Sequence, residues 1–543
     1  MNSPALATGL LAACVLLSYG ALGASPGEPA PPEAGPFEPF KPESSASTGT
    51  VTVGGQAIAY QAVAGTLVVH PKGWDDVPRD PKADKEPQAP GEGEAKNPTA
   101  QASMFYVAYF RNGGATRPIT FLYNGGPGSS TMWLHLGAFG PRRVVTATSA
   151  HTPAAPYALV NNSASLLDVT DLVFIDAPGA GFSRIAGKDK EKAFYGVDAD
   201  AHAFAEFITQ FLSRYGRWNS PKYLFGESYG TTRSAVLINE LESNRGIDFN
   251  GVILLSQILN FDLSPDEPTR NPGIDLPYQL ALPTYAATAW YHHRLGAQHP
   301  DLEALLAEVE GFALGEYGRA LAAGSGLEAS QRSAIAAKLH DYTGLPVDYI
   351  LKADLRIDSG EFRQNLQSAD NLTTGRLDTR FSGPDIDPLS QRPNYDPQAS
   401  ALSSAYVSAF NDYVRRELHF GEGRSFKPSI PIFRSWTCLH LQPGEIQPSS
   451  EQGCNVMPDL ANAMKRNPNL RVQLHAGYFD LATPFFEGVY EMRHLPMPAA
   501  LQGNIEYRFY ESGHMVYAKD SSLKDLHDTV AGFISRTSNA AHP

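Results

Sequence analysis

Residues 222–241, KYLFGESYGTTRSAVLINEL, restrict the fold more than any other stretch of this chain. Three apolar residues, Tyr223, Leu224 and Phe225, run straight into Gly226-Glu227-Ser228-Tyr229-Gly230. Behind them Val236, Leu237, Ile238 and Leu241 recur at helical spacing. The pentapeptide fits G-x-S-x-G between a strand and a helix, the context that motif requires. Such a corner is so tight that the residues flanking the serine need to lack a Cβ. The hydroxyl of Ser228 then stands at the C-terminal edge of a sheet. The helix N-terminus and the N–H of Tyr229 face any oxyanion formed there.

The surrounding pattern supplies the sheet. DLVFIDAPGAGFS reads as a strand and a glycine-rich turn, and DADAHAFAEFITQFLSRYG as an amphipathic helix ending at Gly216. YLFGES and GVILLSQIL are strands on either side of the helix after Ser228. Alternation of this kind predicts a mainly parallel sheet covered by helices on both faces. Upstream, GTVTVGGQAIAYQAVAGTLVVH alternates like a hairpin with Gly54-Gly55 as its turn. A second strand pair is expected around a turn at Asn112-Gly113-Gly114, and a charged, Pro-rich exposed loop from Pro71 to Ala100. After about residue 260 the pattern gives way to helices and loops, among them SQRSAIAAKLHDYTG with Ser330 as N-cap and Gly344 as stop. Strands return in LRVQLHAGYFD and NIEYRFYESGH. The organisation expected is a signal segment (1–23), a Pro-rich linker (24–48), a first core part (49–260), an insertion (261–430) and a second core part (431–543).

The 543 residues suit a large domain carrying such an insertion. A hydrophobic share of 42% is globular, and a net charge of −14 argues against nucleic acid and anionic membrane surfaces as partners. The N-terminal run from Ala5 to Leu22, ending in small residues, resembles a secretory signal cleaved near Gly23 or Ala24. This predicts a secreted or periplasmic protein; a lipid anchor at Cys14 is the alternative. No later segment is apolar for long enough to span a bilayer. Once the signal is removed, Cys438 and Cys454 remain, either as free thiols or as a disulfide contributing roughly 3 kcal/mol in the chain-entropy model.

A nucleophilic serine needs a base, and the base an orienting acid. Behind a G-x-S-x-G corner the chain order is Ser, then Asp or Glu, then His. Asp480 lies in the exit loop of RVQLHAG, and His514 in that of IEYRFY. Parallel strands would open both loops on the edge that carries Ser228. Asp176 precedes the serine and reads as a turn residue. His292 and His293 read as helix-surface residues and His475 as packed. No Cys/His cluster has metal-ligand spacing, so neither a metal nor a cofactor is expected. In FLYNGGPGSS a strand ends at Asn124 before Gly125-Gly126-Pro127-Gly128. No Gly-Lys-Ser/Thr follows, so a phosphate loop fits poorly. The N–H of Gly126, held by Pro127, suits a second oxyanion donor.

YNGGPGSS, GPRRV, DLVFIDAPGAGFS, GESYG, GYFDLATP and GHMV occur in the order seen in serine carboxypeptidases, and the chain resembles that family of α/β-hydrolases over roughly residues 100–260 and 430–530. The resemblance implies an α/β-hydrolase fold, with a mainly parallel central sheet flanked by helices and a mostly helical cap. It implies Ser228, Asp480 and His514 as catalytic triad, and Gly126 and Tyr229 as oxyanion donors. Asn124, the Gly125 N–H and Glu227 would bind the free C-terminal carboxylate of a peptide substrate. Glu227 beside that carboxylate would make two like charges, one of which must take up a proton. Peptide binding is therefore expected to strengthen at acid pH; the alternative is a helix-start carboxylate favoured by the dipole. The sequence departs from the family at Ser129, where Cys is common, at Ala138, where an acidic residue is usual, and at Tyr517, where Pro is usual. The cysteine-rich bridging of eukaryotic members is absent, which suggests a bacterial-type relative. An esterase or acyltransferase on the same triad, or a non-catalytic binding protein on the same fold, are the competing readings.

Overall fold

The computed structural model describes residues 39–75, 97–111, 116–296, 299–449 and 454–538. The N-terminal signal segment, the turn at 112–114 and most of the charged loop at 71–100 lie outside them.

Nine strands form the main path of a mixed sheet. They are β1 (Ser44–Val53), β2 (Gln56–Val69), β3 (Gln101–Arg111), β4 (Ile119–Tyr123), β5 (Asp171–Ile175), β6 (Lys222–Glu227), β7 (Gly251–Leu255), β8 (Arg471–Gly477) and β9 (Ile505–Tyr510). Their spatial order is β1-β2-β3-β5-β4-β6-β7-β8-β9. The six strands from β5 to β9 run parallel, and β1 to β3 are antiparallel. Thus β3 and β4, neighbours in sequence, are separated in space by β5. All five residues of β4, β5 and β7 are buried, as both faces are covered. Alternation sorts them: Leu224, Val252 and Leu254 enter one core, while Tyr223, Phe225, Ile253 and Leu255 enter the other.

Helix α1 (Val197–Arg214) lays Ala201, Phe204, Ile208 and Phe211 on the first core at the predicted period. Beside it lies α2 (Tyr229–Asn244). The insertion holds α3 (Leu276–Tyr291), α4 (Leu302–Phe312) and α5 (Ala329–Thr343), which share a separate apolar cluster. Helix α6 (Pro397–Arg416) belongs elsewhere: its Leu402, Ala405, Tyr406, Phe410 and Tyr413 enter the second core of the sheet. Three more helices follow, α7 (Met457–Arg466), α8 (Phe485–Arg493) and α9 (Asp520–Thr537).

Several expected boundaries shift. Strand β1 starts at Ser44, inside the stretch 24–48 read as linker. Its Ser44–Thr48 segment pairs with Gln61–Gly65 through backbone, which a polar Ser/Thr composition does not advertise. The sheet resumes at Arg471 rather than near 431, and the inserted cap ends before α6, whose apolar stripe faces the sheet. Helix α5 begins at Ala329 after Glu328, so Ser330 is not its N-cap; Gly344, at φ +70°, is its stop. Among the described residues no helix is long and apolar enough to cross a membrane.

Candidate active site

Ser228 sits between the last residue of β6 and the first of α2, with φ +62° and ψ −131°. A side chain rarely adopts that backbone, and it persists because the surroundings fix it. Its N–H donates to Leu255 at the end of β7 (3.0 Å), and its carbonyl accepts from the Thr231 N–H (2.8 Å). Close approach requires a glycine before the serine and another on the loop that faces it. A Cβ on Gly226 would lie 2.2 Å from the Gly230 carbonyl oxygen, and one on Gly125 would lie 2.4 Å from the Tyr229 nitrogen.

The exits of β8 and β9 open on the same sheet edge, because both run parallel to β6. Asp480 is fully buried. Its Oδ1 accepts from the N–H groups of Ala482 (2.8 Å) and Thr483 (3.1 Å). Its Oδ2 accepts from Thr483 Oγ1 (2.8 Å) and lies 2.8 Å from His514 Nδ1. Burial alone would lower the His514 pKa, but the charge of Asp480 and its hydrogen bond outweigh it and leave the imidazole raised. The His514 carbonyl accepts from Ser256 Oγ (2.7 Å), next in sequence to the Leu255 that holds Ser228. Ser228 and His514 make no hydrogen bond to each other among the described residues. Such contacts commonly tighten only when substrate is bound.

Ser228, Tyr229, Gly126, Pro127, Ala482 and Thr483 line one cavity of about 710 Å³. Gly126 reaches its position with φ +107° ahead of a cis bond to Pro127. Phe261, Phe433, Trp436 and the Cys438–Cys454 disulfide supply apolar wall. The two cysteines are therefore bonded, across a sequence separation of 16. The same loop is pinned by His440, which stands between Asp198 (2.5 Å) and Asp459 (2.7 Å). Burial opposes its charge, but the two carboxylates prevail and push its pKa up to about 9.

Asn124 and Glu227 are buried and stand behind the cavity's lining, Glu227 next in sequence to Ser228 and Asn124 two residues before Gly126. Asn124 Oδ1 accepts from the Leu134 N–H (3.2 Å), and its carbonyl accepts from the buried Arg233 (2.8 Å), itself paired with Asp200. Burial pushes Glu227 up to about 7, against the lowering pull of His514, Tyr517 and Asn124. The phenol of Tyr517 donates to Glu227 Oε2 at 2.9 Å. Ala138, on the buried turn Leu134–Phe139, brings no acid to this pocket; Tyr517 supplies the polar partner instead, with Tyr406 close by.

Sequence reasoning registered Tyr517 only as a departure from pattern, since its partner lies 290 positions away. It also gave no sign of residues 376–381, which bond to both the Asp480 and the His514 loops. Asp176 is buried and accepts from the Thr131 N–H (2.7 Å), with its pKa pushed up to about 6 by burial. His475 is packed between Tyr510 and Gln473, and burial lowers it to about 3. Instead of a free surface position, His292 takes a contact of 2.6 Å to the Thr379 carbonyl.

A parallel sheet with a serine corner and a buried Asp–His pair on one rim defines a hydrolase of the α/β-hydrolase fold. The crystal structure of Kex1Δp, a prohormone-processing carboxypeptidase from Saccharomyces cerevisiae, shares this fold with a TM-score of 0.51. That match is 15% identical and covers 88% of this chain and 91% of that one. VinJ matches at 0.35 and 13% identity, over 80% and 96% of the two chains. The proline iminopeptidase of Mycobacterium smegmatis matches at 0.32 and 12%, over 91% and 100%. Comparison with curated proteins gives no match. The serine carboxypeptidase model matches residues 95–261, the part carrying Asn124 through Tyr229. Over that stretch the chain is similar to the serine carboxypeptidase family, peptidase S10.

Proposed function

We propose that the protein releases C-terminal amino acids from peptides through an acyl-enzyme. Ser228 Oγ attacks the carbonyl of the last peptide bond. His514 takes the serine proton and passes it to the departing amino group, and Asp480 holds the imidazole in the required tautomer. The N–H groups of Gly126 and Tyr229 receive the oxyanion. Water, deprotonated by His514, then attacks the acyl-enzyme ester and frees Ser228.

What favours a carboxypeptidase over other acyl-transfer chemistry is the buried Glu227 beside Asn124, close to Ser228. With its pKa near 7, Glu227 is largely protonated below neutrality and can donate to a substrate carboxylate. Above that pH it ionises, and the two like charges repel. KM for a free-acid peptide should therefore stay low below about pH 7 and climb above it.

A peptide ladder followed by mass spectrometry, with wild type and Ser228→Ala, tests reaction and polarity together. Sequential loss from the C-terminus, absent in the variant and strongly reduced for a C-terminal amide, supports the reading. Equal turnover of acid and amide would sink it. We also place the mature chain outside the cytoplasm, a reading supported by the apolar N-terminal run and the Cys438–Cys454 bond.

A further inference from the structure

A short segment before α6 crosses the exits of both β8 and β9. The carbonyl of Arg376 accepts from the Leu481 N–H (3.0 Å), and that of Leu377 from the His514 N–H (2.6 Å). The Thr379 N–H donates to the Phe479 carbonyl (2.9 Å). These bonds take hold of Asp480 through its two chain neighbours, and of His514 directly. Asp378 is buried tightly against the residue before His514: a Cβ on Gly513 would lie 2.4 Å from the Asp378 Cβ. Arg380 pairs with Asp378 (2.5 Å) and reaches Ser512 Oγ (3.3 Å) and the Glu511 carbonyl (3.4 Å).

The outer side of this segment is anchored as firmly. Asp396 Oδ2 accepts from the N–H groups of Arg376 (2.5 Å) and Leu377 (3.1 Å), while its Oδ1 caps α6 through Ala399 (2.8 Å). The Thr379 hydroxyl meets Thr288 of α3 at 2.7 Å, and its carbonyl meets His292. Arg376 is ion-paired with Asp266 through Nε (3.0 Å), and both residues line the cavity that holds Ser228. Leu481, next to Asp480, packs in the apolar cluster of the cap helices.

We propose that Arg376–Phe381 is a positioning strap for the proton relay, fixing the Asp480 and His514 loops to each other and to the cap. The inference rests on reading Ser228, Asp480 and His514 as the triad. The acid and the base stand on two separate loops, joined by one hydrogen bond between their side chains, by the Thr483 hydroxyl 3.3 Å from His514 Nδ1, and by the Phe479 N–H to the Ser512 carbonyl (3.0 Å). A displacement of about 1 Å at such a pair costs roughly a hundredfold in rate. A third segment bonded to both backbones, and to the residues on either side of Asp480, adds to that link and limits the drift of one loop against the other. Because it also carries Arg376 on the cavity wall, the relay and the substrate cavity share one rigid part. The strap touches no reacting atom, so its loss should lower kcat and leave KM nearly unchanged.

Two sets of variants test this. Asp378→Asn with Arg380→Gln removes the buried charge pair together, so neither charge is left unpaired. Asp396→Ala releases the two N–H groups of the strap, and Asp396→Asn keeps an acceptor for them. The readouts are the rate of Ser228 labelling by a fluorophosphonate, kcat and KM on a free-acid peptide, and the thermal melt. Labelling and kcat should fall about tenfold or more in the double variant and in Asp396→Ala, with KM within about twofold. Asp396→Asn should recover most of the loss. If the double variant fails to fold, the Asp396 pair decides. Folded variants that label and turn over as fast as wild type would overturn the strap alone. A wild-type protein that takes no label would overturn the triad reading, and the strap with it.

Discussion

Two carboxyl groups lie buried on one rim of the sheet, and their surroundings divide them. Asp480 accepts four hydrogen bonds, from two backbone N–H groups, the Thr483 hydroxyl and His514. Glu227 takes the phenol of Tyr517 and the nearby Asn124, and burial holds its pKa near 7. Depth does not distinguish them, since both are almost wholly removed from water. The supply of donors does. A carboxyl surrounded by donors is suited to orient an imidazole; one with few donors is suited to carry a proton that it can share with a second carboxylate.

The largest expected effect comes from denying the first pocket its charge. Asp480→Asn should cost on the order of 10⁴ in kcat, since the amide favours the wrong tautomer of His514. A loss below about tenfold, read from steady-state kinetics at pH 7, would erase the contrast between the two acids. Thr483→Val removes one of the four donors and should lower kcat about tenfold with KM steady. An equal fall in both pockets' functions, seen as a parallel rise in KM, would argue that Thr483 merely supports the fold.

In the second pocket the effect is conditional on pH. Glu227→Gln donates at every pH, so KM for a free-acid peptide should become flat between pH 5 and 8. The wild-type KM should rise, by up to about tenfold per unit, above pH 7. Identical profiles would show that Glu227 does not meet the substrate carboxylate. Tyr517→Phe should be smaller still. Its phenol favours the charged form of Glu227, so its loss should move the rise in KM to higher pH. A shift to lower pH would place Tyr517 outside the network.

A third buried acid sharpens the comparison through stability. Burial, reinforced by Glu491, raises Glu487 well above the usual carboxyl range, and neither of its oxygens has a hydrogen-bond partner among the described residues. The unfolded chain releases this proton near pH 4.5, whereas the folded chain keeps it. The stability that this group contributes is therefore greatest near and below that pH and is lost as pH rises toward the folded value. The drop in melting temperature between pH 5 and pH 8 should shrink in Glu487→Gln. An unchanged drop would assign it to other groups, of which Glu491, raised to about 7, is the first.

Much of this rim was legible before any fold was known, and the residues say why. Gly226-Glu227-Ser228-Tyr229-Gly230 announces its own geometry, because only missing Cβ atoms allow the approach to the next turn. Asp480 and His514 could be named because each follows a run of strand residues that opens on a shared edge. Less visible was Tyr517, whose role depends on a carboxylate far away in sequence. The polar stretch at Ser44–Thr48 reads as linker and is strand, and α6, which the sequence pattern leaves in the insertion, carries its apolar stripe toward the sheet.

The sequence by itself determined the local geometry: the strand-to-helix corner, the two alternating periods and the order of Ser228, Asp480 and His514 along the chain. These follow from backbone sterics and side-chain spacing over a few adjacent residues. Only the tertiary structure decided what holds the acid and base loops together and which partner Glu227 receives. The strap grips those loops mainly through N–H and C=O groups, which every residue but proline carries, and such groups leave no mark on a sequence.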